Sequence, residues 1–400
     1  MEIKKLLQIG VGKAGNVLLN EMMNLDARYV GLFINSAKGD MENLNNFTKE
    51  NSFAIPQTNG SGKNRDKARE YILRWKESFF ELMSSYSEFD TIVFYFSTDG
   101  GTGSGSVPTL ATLTKNLFRD HYGKEVNIIA VGTTPNSSVG INGLKNTQCC
   151  WNDIVKLMNN HKDEEGNVMV YDDGTEVTPT INTLYLIDNN KKNGNYEEIN
   201  AEAVETLHLA FNFNTLNTTG DLDENDSYNI NISKGYNFLL KLEEAESEEQ
   251  AILDAKENSV FVIPKEEYYN PENVGIALKN NIFDTHNVID LIGTAKVDVY
   301  PAPIDEDDDV DGVIFYGGIR LGLIRDYIDA ISQIITDREK QLEKEIELDD
   351  DLIVSVKKER SAARRTTTSS TKVVKKEKPS ITGKSRRNVR GIVSDDMFSF

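Results

Sequence analysis

The sequence predicts an α/β protein: a doubly wound, mostly parallel sheet, a long central helix, a smaller α+β second domain, a long C-terminal helix and a disordered basic tail. Three observations carry this reading. Residues 91–96 (TIVFYF) are a continuous β-branched and aromatic run, as expected for a parallel strand buried on both faces. That run leads through FSTDGGTGSGS at 96–106 into apolar residues at helical spacing, Val107, Leu110, Leu113 and Leu117, with Pro108 expected in the first turn. The same strand, glycine loop and helix recur at the N-terminus, where KLLQI at 5–9 is followed by GVGKAGN at 10–16 and by Leu18, Leu19, Met22 and Met23.

Strand, glycine-rich turn and helix together suit an anion. Gly100, Gly101, Gly103 and Gly105 permit positive φ and a close approach of backbone N–H groups. Thr102, Ser104 and Ser106 add hydroxyl donors, and the helix N-terminus adds partial positive charge. An ordinary Gly/Ser connection explains four glycines among small hydroxyls in six positions less well. The glycines at 10, 12 and 15 give G-x-G-x-x-G, which alone is a weak sign of a dinucleotide fold. An NAD-dependent oxidoreductase is therefore a rival reading. Against it, no second βαβ half with a suitably placed ribose acid is convincing.

Composition sets bounds. Four hundred residues suit two domains and a tail, and no apolar run reaches membrane-spanning length. The N-terminus runs directly into a strand, so no signal peptide is expected. Cys149 and Cys150 are adjacent, which excludes an ordinary disulfide framework and points to a reducing, cytoplasmic setting. Four histidines and two cysteines show no zinc spacing, and no residue is assigned as a metal ligand. Residues 351–400 hold 13 Lys/Arg and 5 Asp/Glu, so the first 350 residues carry a formal charge of −28. Such an acidic body would repel DNA phosphates; the basic tail is a separate object.

Along the chain, residues 29–34 (YVGLFI) form a second strand ending at Asn35, at the carboxyl end where ligands of such sheets bind. GSGKNR at 60–65 opens a helix over 66–84, residues 126–131 (VNIIAV) are another strand, and 161–180 is a polar hairpin or loop. Residues 183–189 (TLYLIDN) repeat the strand-then-Asn pattern, and a helix runs from Asn200 to about Asn217, with Asn200 as N-cap or early-turn residue. Further strands are expected at 237–242, 260–263, 295–300 and 312–316, and a helix at 271–283. The acidic run 305–309 reads as a solvated loop, residues 322–346 as one long helix, and the chain from about Ser361 as disordered. Clustered Asp221, Asp223 and Asp226 suit a solvated surface, a Ca²⁺ loop or water-orienting groups; the EF-hand spacing is incomplete.

The loop at 100–105 resembles the phosphate loop of the tubulin/FtsZ superfamily of GTPases, with Asp99 where that family usually has glycine. The resemblance implies GTP/GDP and Mg²⁺ as ligands. It places Gly100, Gly101, Thr102, Gly103, Ser104 and Gly105 on the phosphates, with Gly10, Gly12, Lys13, Gly15 and Asn16 as the first nucleotide loop. It puts Asn35 in the second loop and Ser61, Gly62 and Lys63 near the γ-phosphate. Asn136 or Ser137 would serve the ribose, since Val139 replaces the usual acid, and Asn189 and Asn200 would face guanine. LIDN at 186–189 and the long final helix are similar to the TubZ branch, the filament GTPases of phage and plasmid partition. Asp221, Asp223 and Asp226 resemble the catalytic loop that enters the next subunit's pocket, so self-association head to tail is implied.

The implied organisation is a GTP-binding domain at 1–199, a central helix at 200–220, a catalytic loop and second domain at 221–320, a C-terminal helix at 321–347 and a tail at 348–400. Lys375, Lys376, Lys378, Lys384, Arg386, Arg387 and Arg390 dominate the tail, which could bind DNA phosphates directly or neighbouring acidic subunits; the resemblance implies that the tail engages a DNA-bound adaptor of the TubR type, reaching centromeric DNA indirectly, and no membrane partner is expected. An FtsZ-type division protein and a phage spindle tubulin are the rivals within the superfamily.

Overall fold

The structure is a computed structural model and describes residues 6–172, 174–216, 224–293, 298–304 and 309–363. Asp221, Asp223, most of the acidic run 305–309 and the tail from residue 364 onward lie outside the described residues. The chain divides into two units, residues 1–340 and 341–400. The described part of the second, 341–363, is helical.

Among the described residues, the first unit is built on one ten-stranded sheet. Its strands are β1 (Leu6–Val11), β2 (Val30–Asn35), β3 (Ser52–Ala54), β4 (Thr91–Ser97), β5 (Asn127–Thr133), β6 (Thr183–Ile187), β7 (Gly235–Leu242), β8 (Asn273–Leu278), β9 (Asp298–Pro303) and β10 (Gly312–Ile319). Their spatial order is β3-β2-β1-β4-β5-β6-β7-β10-β8-β9. The pairs from β3 to β7 are all parallel, and β10 runs antiparallel between β7 and β8. The order reverses at β1, which has β2 on one side and β4 on the other. A crevice outside the carboxyl ends of β1 and β4 follows from that topology.

The helices are α1 (Gly12–Leu25), α2 (Arg65–Arg74), α3 (Lys76–Met83), α4 (Thr102–Tyr122), α5 (Ile141–Asn159), α6 (Tyr196–Phe211), α7 (Glu224–Asn231), α8 (Glu248–Asn258), α9 (Thr285–Ile292) and α10 (Gly322–Ala363). One group packs α1 with α6; another packs α2, α3 and α5 with α4. Between them β1 is buried along its whole length, and β4 at all but its last residue, as their apolar sequences require. The continuous core runs on through β7, β8 and β10. A small satellite cluster, Leu144, Ile331 and Ile335, seats α10 on the start of α5.

Several elements differ from the sequence reading. The expected helix at 271–283 is strand β8, buried between β10 and β9. Its small residues let neighbours close in: a Cβ on Gly275 would lie 2.5 Å from the Phe213 ring. Residues 260–263 form only a bridge, Ile187 to Phe261, flanked by the bonds Asp188 N to Val260 O and Val262 N to Leu186 O. The central helix begins at Tyr196, capped by Asn195 accepting from Glu197 N, so Asn200 sits inside it. It ends at Phe211, and a 3₁₀ turn, Phe213–Leu216, replaces its expected last residues. The helix expected over 66–84 is broken at Trp75 into α2 and α3. The strand expected at 295–300 is shifted to β9, which includes Pro301 and Pro303. Ile304 N donates to Leu278 O, so alternate residues 301 and 303 turn their nitrogens away from β8, where proline loses no ladder bond. Finally, α10 continues to Ala363, well past residue 346.

Candidate functional site

The second glycine stretch is less of a turn than its composition predicts. Helix α4 starts at Thr102, inside the stretch, and Pro108 falls in its second turn. Proline has no N–H to give to the carbonyl four residues earlier. That carbonyl, Ser104 O, instead accepts from Arg65 Nη2 at 2.9 Å and Nε at 3.3 Å, and the same guanidinium pairs with Asp153 at 2.6 Å. None of Gly100, Gly101, Gly103 and Gly105 has a positive φ. The glycines are needed for close approach: a Cβ on Gly101 would lie 2.2 Å from Ser61 Oγ, and one on Gly105 would lie 2.4 Å from Arg65 O. In the first loop Gly12 does adopt a positive φ of 75°, and this swings α1 up against Gly103.

The two loops therefore bring two helix N-termini to one place at the β1/β4 crossing. Neither α1 nor α4 has a capping side chain or an acidic residue in its first turn; α2, α6, α8 and α9 are capped by Asn64, Asn195, Ser247 and Asp284, while α3 and α5 also lack a side-chain cap. Uncapped N–H groups and two aligned helix dipoles favour an anion.

They open into a cleft of about 630 Å³. Of the residues singled out in the sequence, Gly12, Lys13, Asn35, Ser61, Lys63, Gly100, Gly101, Thr102, Gly103, Asn189 and Asn200 line it. The Thr102 hydroxyl lies 2.7 Å from Ser36 Oγ and donates to Ser61 Oγ at 3.3 Å, which joins three loops at the cleft floor. Asn189 is buried and donates to Thr134 O at 2.9 Å, fixing its orientation. Asn35 donates to Asp40 Oδ2 and accepts from Ala37 N, so its amide shapes the turn after β2.

Gly10, Gly15, Asn16, Gly62, Ser104, Gly105 and Asn136 are outside the lining. Gly15 serves packing, since a Cβ there would stand 2.0 Å from Tyr95 O. Asn16 is fully buried and donates to Ile34 O, tying α1 to β2. Asn136 donates to Asn189 O and accepts from Ser138, which holds the loop after β5. Asp226 is on α7 and is not among the lining residues.

Sequence reasoning did not single out Tyr196, Asp40, Ser36 or Thr133 as ligand contacts. Tyr196, at the first position of α6, lines the cleft with half its surface exposed. Thr133 Oγ1 is buried beside the cleft with no protein partner. A polar atom left open there fits a bound polar ligand. Asp99 accepts from Ser97 Oγ and faces the cleft with Asp40, against the cations Lys13 and Lys63. Cys150 is fully buried and its thiol is pushed up to about 12 by that burial, which leaves it inert.

Residues 5–160, the segment that carries both glycine loops, match the family model for the Tubulin/FtsZ family, GTPase domain. That segment is similar to tubulin/FtsZ GTPase domains. Tubulin-like protein TubZ of Clostridium botulinum C phage is 27% identical over 259 residues, covering 64% of this chain. That alignment spans 65% of the phage protein's own length. The fold is similar to that of tail-truncated TubZ from Clostridium botulinum phage c-st, with a TM-score of 0.69 and 24% identity over 85% of this chain and 99% of that one. It is equally similar, at a TM-score of 0.69 and 15% identity, to a GTPγS-form protofilament of TubZ from Bacillus thuringiensis serovar israelensis, covering 85% of this chain and 94% of that one.

Proposed function

We propose that the chain binds and hydrolyses GTP and polymerises head to tail into filaments that position phage or plasmid DNA. The observation that carries this reading is the meeting of two uncapped helix N-termini in one cleft lined also by Lys13, Lys63 and Thr102. Backbone amides of the two loops, Lys13, Lys63 and Thr102 would bind the phosphates; Asn189 and Asn200 would read guanine, since an amide both donates and accepts. Mg²⁺, when bound, would neutralise phosphate charge. Asp40 and Asp99 are the carboxylates in the lining, and the described residues hold no cluster of three ligating groups, so phosphates and water would supply most of its coordination.

Hydrolysis needs a group that orients water. Since Asp226 does not line its own chain's cleft, we assign that task to Asp221, Asp223 and Asp226 of the preceding subunit. Activity and assembly are then one event, and a contact that does not close on itself yields a filament. The tail, through an adaptor of the TubR type, would connect that filament to centromeric DNA. Phosphate release measured against chain concentration, with light scattering followed in parallel, tests the proposal. Release per chain should rise steeply where scattering appears. A dilute monomer that hydrolyses GTP at the full rate would overturn it.

A further inference from the structure

The Gly60–Lys63 loop and the second glycine loop are latched by a side chain from neither. Asn146, on α5, donates through one amide nitrogen to three carbonyls: Lys63 O at 3.0 Å, Asp99 O at 3.1 Å and Gly100 O at 3.2 Å. All three neighbours only accept, so the NH₂ group must be the end that faces them. Two hydrogens serve three acceptors, so one is shared.

The contact adds to the bonds that hold this segment elsewhere, Gly60 N to Ser36 O at 2.8 Å, Asn64 N to Ser61 O at 3.2 Å and Thr102 Oγ1 to Ser61 Oγ at 3.3 Å. Lys63 adopts a left-handed φ of 60°, which is unfavourable for a residue with a Cβ. On one side, Asn64 caps α2 by accepting from Lys67 N at 2.8 Å. On the other, Gly101 packs directly against Ser61, Lys63 and Asn64, where a Cβ would lie within 2.8 Å of each. Asn146 closes this sandwich. Among the described residues Asn146 is the donor to the Lys63 carbonyl, so it ties the left-handed residue itself, and hence the Lys63 side chain, to the second glycine loop.

We infer that Asn146 is a positioning residue that holds Ser61 and Lys63 against the second glycine loop and thereby sets the preference for a nucleoside triphosphate over a diphosphate. The inference rests on the GTP reading above. The terminal phosphate is the part of the ligand that the 60–63 loop would reach; the loops at 10–16 and 100–105 would hold the other two regardless.

The test uses the full chain, with GTP and GDP binding measured by calorimetry at a concentration too low for assembly, alongside thermal unfolding without nucleotide. Asn146→Ala should fold, lose about tenfold in GTP affinity and change GDP affinity by less than about twofold. Asn146→Asp, which keeps the shape and turns an acceptor toward three acceptors, should lose at least as much. Lys63→Ala should show the same selective loss, and Asn146→Ala combined with it should lose little more. Equal losses for both nucleotides, additive losses in the double variant, or an Asn146→Ala chain that no longer folds would each overturn the inference. If the unaltered chain bound neither nucleotide, the GTP reading itself would fail, a separate and recognisable result.

Discussion

The guanidinium of Arg65 occupies the place of a backbone donor that Pro108 cannot supply, with its Nη2 2.9 Å from Ser104 O. This contact supports a helix that begins inside a glycine-rich stretch and carries a proline just beyond it.

Arg65→Ala should destabilise the chain by about 2–3 kcal/mol, because it leaves a buried carbonyl without a donor and Asp153 without its cation. Arg65→Lys should recover part of this, restoring the charge but not the fork that reaches both partners. Urea denaturation of the two variants against the unaltered chain measures the difference.

Gly15→Ala should be severe. Its Cβ would stand 2.0 Å from the Tyr95 carbonyl oxygen, and two backbones cannot part without separating α1 from β4. A loss of about 3 kcal/mol or more is expected. Gly39→Ala is the control, since no atom lies within 4 Å of its added Cβ; its denaturation midpoint should stay where it is.

Tyr196→Ala should weaken GTP and GDP binding equally, by about tenfold, if the ring stacks on the base at the cleft mouth. Tyr196→Phe should bind as the unaltered chain does. Fluorescent nucleotide titration reads both, and a loss confined to one nucleotide would place the ring elsewhere.

Asp226→Ala should leave GTP affinity intact while turnover falls about a hundredfold. Mixed with a second inactive variant, Thr102→Ala, it should recover part of the rate, because a subunit with an intact cleft then meets one with an intact acidic motif. Steady-state phosphate release from the mixture decides this, and no recovery would argue for a site complete within one chain.

Much of the sheet was legible because β1, β4, β5 and β6 are mostly apolar and end at polar or glycine-rich loops. Strand β8 was not: NVGIAL suits a short helix as well as a strand, and only its seat between β9 and β10 decides. The true start of α4 was hidden because its first turns are written in poor helix formers, and the residue that makes them tolerable, Arg65, comes from another helix. The second glycine loop could be picked out as a candidate anion site from its composition, whereas the first, a lone G-x-G-x-x-G, is a weak signal by itself. The roles of the two loops' members were not legible, since Gly15 and Gly105 prove to be contact points between backbones. Asn146 carries no local signal at all; its three acceptors lie in two other loops.

The prolines of β9 bear on how such a molecule avoids indiscriminate sticking. A wide sheet invites foreign strands at its margins, yet one border here is a three-residue strand and the other has lost two of its outward donors at Pro301 and Pro303. Sideways recruitment by strand addition is thereby blunted on both flanks. Whatever copies of this chain do to one another must use shaped surfaces, which can be broken and remade, and not the irreversible zipper of exposed backbone.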